Sequence, residues 1–186
     1  MTLPSALAVA VDDAREGADA RFAGLIERHG PAISRLCSYR ERNEQARLDL
    51  RQDILVAIWE AVPRLAEVRS ERAWVLRIAH NVAATHVERA ARGKRAAGIE
   101  HTEVEIADPI SAEKRAEDRL RLEALFGRLR TLDLLSQQLV LLHLEGLDGA
   151  EIAEATGLTA TNVTTRLSRI RKWLVTNEDA PKEPGR

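Results

Sequence analysis

The chain is poor in the residues that build covalent cross-links and aromatic cores. Its 186 residues include one cysteine, and Phe, Trp and Tyr together make up 3%. A single thiol, Cys37, cannot form an intramolecular disulfide, which indicates a reducing compartment. Few aromatic residues argue against a β-sheet core, which favours aromatic and β-branched side chains. We therefore expect a cytoplasmic protein in which Cys37 is a small buried residue of a helix.

Long apolar runs are also lacking. The first thirteen residues contain scattered apolar side chains but no basic flank and no run long enough for a signal peptide. No other segment approaches the roughly 20 apolar residues that a transmembrane helix needs. We therefore expect no membrane insertion.

Signatures of catalysis are absent as well. The histidines show no metal-ligand spacing of the His-Glu-x-x-His kind, and no glycine-rich phosphate loop is present. His80 and His86 are six residues apart, which does not place them on one helical face. We expect no metal, no cofactor and no enzymatic activity. The histidines in question are His29, His80, His86, His101 and His143.

What the chain has in abundance is helix-forming residues. Apolar residues make up 45% and charged residues 31%, with Ala, Leu, Arg and Glu dominant. This composition predicts an all-α fold. The periodicity of apolar residues predicts two small helical domains with a flexible linker at Asp108-Pro109. The predicted segments are a disordered tail at 1–18, domains at 19–97 and 112–175, the linker at 98–111 and a tail at 176–186.

Four helices are predicted in the first domain. Apolar residues on both sides of Gly30-Pro31 indicate a helix, a break and a second helix. A third helix ends near Pro63. The fourth is predicted to run to about Arg92 with Trp74, Ile78, Val82 and His86 along one side.

The net charge of −1 excludes a globally basic nucleic-acid binder, so the distribution of charge matters more than its sum. Basic segments at 77–95 and 158–175 flank an acidic connector. This layout suits a protein that touches a polyanion at two places.

The segment from Asp148 to Val163 predicts a helix-turn-helix. Asp148 and Glu151 form a capping-box pattern, Gly157 suits the C-terminal end of a short helix, and Thr159 can cap the next helix. That next helix would bury Val163, Leu167, Ile170 and Leu174. Its exposed face resembles a recognition helix in a DNA major groove, and the alternative is an ordinary helical hairpin with a solvated basic face. The exposed residues are Thr161, Asn162, Thr164, Thr165, Arg166, Arg169 and Lys172.

Before this motif, Ser136 can cap a helix that carries Leu139, Leu142 and Leu144 and ends at Gly146. Further upstream, Trp59 and Trp74 are interpreted as core or interface anchors, with base stacking as the alternative, and Trp173 as a packing residue.

Three motifs in order resemble bacterial sigma factors of the sigma-70 family, extracytoplasmic-function (ECF) group, over about Arg21 to Leu174. Leu144-Glu-Gly-Leu-Asp-Gly-Ala-Glu-Ile-Ala-Glu-Ala-Thr-Gly-Leu resembles the region 4 promoter-reading domain, a pattern that LuxR-type regulators share. Asp49-Leu-Arg-Gln-Asp-Ile-Leu-Val-Ala-Ile-Trp resembles the region 2 helix that grips the polymerase clamp helices. Trp74-Val-Leu-Arg-Ile-Ala-His-Asn-Val-Ala resembles the adjoining helix that captures the −10 strand.

The resemblance implies a transcription initiation factor, monomeric when free or bound to polymerase. The implied partners are core RNA polymerase, promoter DNA and an anti-sigma factor. Solvation of a polar helix is the alternative for the polymerase-binding residues, and an ordinary surface residue beside a basic helix is the alternative for Asn81. The implied polymerase-binding residues are Asp49, Gln52, Asp53, Trp59 and Glu60. The implied −10 contacts are Arg77, His80, Asn81, His86, Arg89 and Arg92, and the −35 contacts are the exposed recognition-helix residues given above.

The apolar helix with Leu139, Leu142 and Leu144 is expected to meet a second polymerase site. Thr85 and Glu88 depart from the family pattern Asn-x-x-x-Asp-x-x-Arg-Arg, as do Leu65 and Leu55, which stand where aromatic residues are common. These departures concern promoter preference and melting. The rival interpretation is an autonomous helix-turn-helix repressor or activator that binds operator DNA without polymerase.

Overall fold

The computed structural model describes residues 5–96 and 113–176, with side chains at 15–65, 68–92 and 122–176. Every regular element within these ranges is helical, and none is a strand, so the predicted all-α class is confirmed. No helix in the described ranges combines the length and the apolarity needed to cross a membrane.

The chain divides into two compact units, Met1–Val87 and Glu88–Arg186. The first boundary falls inside a helix, ten residues before the end predicted at residue 97. The predicted linker and nearly all of the predicted C-terminal tail lie outside the described residues. The domain limits therefore stay predictions.

Helix α1 (Ser5–Arg40) runs without interruption through Pro31, so the predicted break there is wrong. Proline removes one backbone hydrogen bond, but Leu25 and Ile33 are fully buried on either side of it and hold the helix against its neighbours. The helix begins at Ser5, within the segment predicted as an N-terminal tail.

Helix α2 (Glu44–Ala61) begins at a true N-cap: the side chain of Asn43 accepts a hydrogen bond from the backbone N–H of Ala46 at 3.0 Å. Leu50, Ile54 and Ile58 recur every four residues and are fully buried. Pro63 then opens a short 3-10 helix (Val62–Glu67).

Helix α3 (Glu71–Ala96) starts where the Ser70 hydroxyl accepts a hydrogen bond from the N–H of Ala73 at 3.3 Å. It runs through Gly93, beyond the predicted end. The side marked by the spacing of Trp74, Ile78, Val82 and His86 is only half-buried. The residues that are buried on α3 are Ala73, Val75, Leu76, Ala79, His80 and Ala83.

The second unit contains α4 (Glu113–Arg130), α5 (Leu134–Leu144), α6 (Gly149–Thr156) and α7 (Ala160–Thr176). Asp133, not Ser136, is the N-cap of α5, since its carboxylate accepts from the N–H of Ser136 at 2.8 Å. An Asp three residues upstream satisfies a free N–H of the first turn, so Ser136 lies inside the helix. The core of this unit is aliphatic, with these residues at most 1% exposed: Leu129, Leu139, Leu142, Ile152 and Val163.

Candidate nucleic-acid and partner interfaces

The turn between α6 and α7 has the geometry that its sequence predicts. The Asp148 carboxylate accepts from the N–H of Glu151 at 2.8 Å, and the Glu151 carboxylate accepts from the N–H of Asp148 at 3.0 Å. Gly157 ends α6 with φ of 74°, a left-handed conformation that glycine adopts without a Cβ clash. The Thr159 hydroxyl accepts from the N–H of Asn162 at 3.2 Å. The helix-turn-helix is therefore confirmed as a local structure.

The buried side of α7 is apolar. Val163 is fully buried, Ile170 is 2% exposed and Trp173 is 6% exposed, which confirms Trp173 as a packing residue. Leu167 and Leu174 are half-buried beside them. Burial of this stripe leaves the opposite side of α7 facing solvent.

The predicted −35 contacts lie on that solvent side, with Arg166 half-buried at its edge and the other six exposed. Arg166 Nε donates to the Asn162 amide oxygen at 3.0 Å, which ties two of these residues together. The hydroxyls of Thr164 and Thr165 donate to the carbonyls of Ala160 and Thr161. Each hydroxyl oxygen keeps lone pairs that can accept from a base edge, and each threonine also has a methyl group that can contact a base.

The predicted polymerase-binding residues share the exposed side of α2, opposite Leu50, Ile54 and Ile58. Trp59 is 45% exposed, and its indole N–H donates to the Asp19 carboxylate at 3.1 Å. Trp59 is thus a surface residue rather than a core anchor. The exposed members of the predicted set are Asp49, Gln52, Asp53, Trp59 and Glu60.

Sequence reasoning missed two apolar members of this side of α2. Leu48 is 52% exposed and Val56 is 49% exposed, beside the acidic residues. Their signal was available, because both stand at helical positions next to Gln52 and Trp59 rather than with the buried stripe. We define the α2 face as Leu48, Asp49, Gln52, Asp53, Val56, Trp59 and Glu60.

The predicted −10 residues are divided by the structure. Arg77, Asn81, Arg89 and Arg92 are exposed. His86 is half-buried, with its Nε2 3.6 Å from a Glu41 carboxylate oxygen. His80 is 3% exposed, so its assignment as a −10 contact is wrong.

The reason lies in the core of the first unit. α3 packs through its alanine-rich side, and His80 belongs to that side. Burial, with a smaller effect from the nearby Arg40 charge, lowers the pKa of His80 to about 3. The ring is therefore neutral at physiological pH, and its buried Nδ1 has no hydrogen-bond partner among the described residues.

Three arginines that sequence reasoning did not select lie close in sequence to the start of α3. Arg64, Arg69 and Arg72 are all exposed. The neighbouring Glu71 carboxylate does not neutralise them, since it accepts two hydrogen bonds from Arg28, at 2.8 and 2.9 Å, and lies 2.8 Å from His29 Nε2. The hydrogen bond from Arg28 lowers the pKa of Glu71.

The predicted second polymerase contact on α5 is mostly buried. Leu139 and Leu142 are fully buried, so they build the core of the second unit and do not meet a partner. Leu144 is 61% exposed and remains accessible. No group of His, Cys, Asp or Glu within the described ranges is arranged to hold a metal ion.

Comparison with known proteins finds one family model in each half of the chain. Residues 25–93 match the family model Sigma-70 region 2, and residues 122–174 match Sigma-70, region 4. The chain is 28% identical to RNA polymerase sigma factor NccH of Alcaligenes xylosoxydans xylosoxydans, over 94% of this chain and 95% of that protein.

A solved structure gives the same result. The structure of CnrH in complex with the cytosolic domain of CnrY has a TM-score of 0.63 and 27% identity, covering 94% of this chain and 97% of CnrH. Both matched family models are sigma-factor regions, and nothing favours the autonomous-regulator alternative. The chain belongs to the extracytoplasmic-function group of the sigma-70 family of transcription initiation factors.

Proposed function

We propose that three surfaces of this sigma factor make the contacts needed for transcription initiation. The α2 face binds core RNA polymerase, the exposed cationic side of α3 binds the −10 strand, and the polar side of α7 reads the −35 duplex. The observation that carries the proposal is the sorting of α2 and α7, whose predicted contact residues lie at the surface while their apolar stripes are buried.

The α2 face combines apolar area with negative charge. Leu48, Val56 and Trp59 can exclude water from a partner helix, while Asp49 and Asp53 can pair with its basic residues and set its register. Because the indole N–H of Trp59 is already bonded to Asp19, the ring is held in place before a partner arrives.

The α3 surface suits a single strand. Arg77, Arg89 and Arg92 supply exposed positive charge, and Asn81 supplies an amide that can bond the edge of an unstacked base. We add Arg64, Arg69 and Arg72 to this surface, because they extend its positive charge to the turn before α3. His80 is excluded from it.

The α7 surface suits a major groove. Thr161, Asn162 and Thr165 lie in the first half of the helix, where recognition helices contact base edges, and Arg169 and Lys172 follow for phosphates. We include Arg166 as a member that the Asn162 amide oxygen orients.

We also propose an anti-sigma factor as a partner. CnrH was solved with the cytosolic domain of CnrY. A regulator of this kind would cover exposed apolar side chains such as Leu48, Trp59 and Leu144. The factor is non-enzymatic and acts in the cytoplasm, where polymerase and DNA are found.

The test of the polymerase contact is a triple substitution, D49A/Q52A/D53A. We expect affinity for core polymerase to fall by at least about 10-fold, because charged and amide groups that set the register of the interface are lost. Co-elution with purified core enzyme and run-off transcription on a library of genomic fragments measure the effect.

The matched control is Glu27→Ala, which removes an exposed carboxylate from α1 of the same unit. It should bind core polymerase like the wild type. A triple variant that still binds with wild-type affinity would refute the α2 assignment.

A further inference from the structure

We infer that Arg128 of α4 is a positioning residue for −35 recognition: it holds the far end of α7, and thereby sets the angle at which α7 presents its polar side to DNA. The inference rests on the proposed −35 role of α7. Arg128 itself is not placed on the DNA-facing side.

The guanidinium of Arg128 caps the C-terminal end of α7. Its Nη1 donates to the carbonyl of Leu174 at 2.7 Å, and its Nη2 donates to the carbonyl of Trp173 at 3.0 Å. The last four carbonyls of a helix have no partner within the helix and carry partial negative charge. α7 has no basic residue in its own last turn. The cation that complements this end therefore comes from α4, 45 residues away in sequence.

The same side chain packs on a ring of α7. Cζ of Arg128 lies 4.8 Å from the centroid of the Trp173 ring. A planar guanidinium can stack on an aromatic face and donate two parallel hydrogen bonds at once, which an ammonium group on a flexible stem cannot do. Arg128 thus restrains the direction as well as the position of the helix end.

The segment that carries Arg128 is itself held by hydrogen bonds. The Thr131 hydroxyl donates to the carbonyl of Arg128 at 2.8 Å. The buried Gln137 amide donates to the carbonyl of Leu132 at 2.8 Å. The end of α4 and the start of α5 therefore form a fixed corner from which Arg128 reaches α7.

Packing restrains the other half of α7. Val163 is fully buried there, and Gly149, the first residue of α6, lies beside Thr164, since a Cβ built on it would stand 3.8 Å from Oγ1 of Thr164. Thr164 and Leu174 are ten residues apart, or about 15 Å along the helix. With α6 near the reading end and Arg128 at the far end, contacts at both ends add to the buried stripe in setting the tilt of α7. Loss of the Arg128 contact would let the residues in the first half of α7 change their orientation toward DNA.

The experiment uses holoenzyme rebuilt from core polymerase and full-length protein, with two promoter libraries, one randomised at −35 and one at −10. Transcripts are sequenced to obtain the preference for each base. In Arg128→Gln we expect the −35 preferences to weaken by about 5-fold, because two charge-assisted hydrogen bonds to the helix end are lost. Preferences at −10 should not change.

Two further variants complete the design. Arg128→Lys keeps the positive charge but not the planar guanidinium, and should give intermediate −35 preferences. If circular dichroism shows that Arg128→Gln does not fold, Arg128→Lys tests the positioning role in its place. Arg171→Gln removes an exposed cation from α7 without touching α4. It should lower transcription evenly and leave the −35 preferences unchanged.

The outcomes distinguish the proposed −35 role of α7 from the positioning role of Arg128. A wild-type holoenzyme with no −35 preference would refute the proposed role of α7. A wild type with clear −35 preferences, together with a folded Arg128 variant that has the same preferences, would overturn the positioning role alone.

Discussion

His80 and Glu71 are titratable residues of the first unit that the fold treats in opposite ways. His80 is kept neutral, because burial and then the Arg40 charge lower its pKa from 6.5 to about 3. Glu71 is kept charged, because the hydrogen bond from Arg28 lowers its pKa from 4.5. Both pKa values are lower in the folded protein than in the unfolded chain. Both groups therefore make the unit less stable as pH falls, His80 below 6.5 and Glu71 below 4.5.

For His80, the unfolded chain binds a proton between pH 6.5 and about 3 that the folded protein does not bind. The free energy of unfolding should therefore fall as the pH is lowered from 7 to 5, with a slope of at most about 1.4 kcal/mol per pH unit from this residue. His80→Leu should flatten that slope. Urea unfolding followed by circular dichroism at several pH values measures it.

The control for this experiment is His143→Gln, which removes an exposed histidine. It should keep the wild-type slope. If His80→Leu kept the wild-type slope as well, the histidine would not be the buried neutral group described.

At the scale of the element, the effect of a glycine on stability depends on the backbone conformation at its position. Gly157 ends α6 in a left-handed conformation with φ of 74°, and a Cβ placed on it would meet nothing within 4 Å. Gly127 lies inside α4, also with nothing within 4 Å of a Cβ. Space is equal at the two positions, so only the backbone conformation differs.

The same substitution should therefore have opposite effects. Gly157→Ala should destabilise the second unit by about 1–2 kcal/mol, because an L-residue is strained in the left-handed region. Gly127→Ala should stabilise it by about 0.5–1 kcal/mol, because glycine loses more conformational freedom in a helix. Urea unfolding read by Trp173 fluorescence, with Trp59 and Trp74 replaced by Phe, compares them. Equal signs would contradict this account of the α6–α7 turn.

At the scale of the whole molecule, the net charge of −1 limits what the free protein can do. Affinity for DNA rises with each phosphate that a cation neutralises, so two small units whose 28 basic residues are offset by 29 acidic ones bind weakly when alone. Core polymerase, by holding both units near the promoter, raises their effective concentration.

The free protein should therefore bind a promoter duplex no more tightly than roughly 10⁻⁶ M, the range of non-specific binding. Holoenzyme should bind the same duplex far more tightly and with sequence preference. Gel shifts with and without core polymerase, each against a scrambled duplex, compare the two states. Nanomolar binding by the free protein would instead favour an autonomous regulator.

Much of the fold was predictable wherever the interactions are local. The Asp148–Glu151 capping box, Gly157 and the Thr159 cap depend on residues within four positions of one another, so sequence spacing is enough to identify them. The same holds for α2, where Leu50, Ile54 and Ile58 are large aliphatic residues whose period is unmistakable and places the α2 face opposite them.

The rest depended on contacts between distant segments. Half of the buried residues described on α3 are alanines, which give a weak hydrophobic signal. The spacing of Trp74, Ile78 and Val82 was therefore more prominent, and His80 was placed among the surface residues. Proline is a reliable sign of a break only where packing does not oppose it, and the buried flanks of Pro31 oppose it.

Sequence order by itself therefore determined the helical class, the turn between α6 and α7, and the family to which the chain belongs. Only the tertiary structure decided which histidine is buried, that Leu139 and Leu142 are core residues, and that Arg128 caps α7. The physical reason is that a cap or a helical period is set by neighbours along the chain. Burial depends on contacts between separate helices, and the Arg128 hydrogen bonds join residues 45 and 46 positions apart.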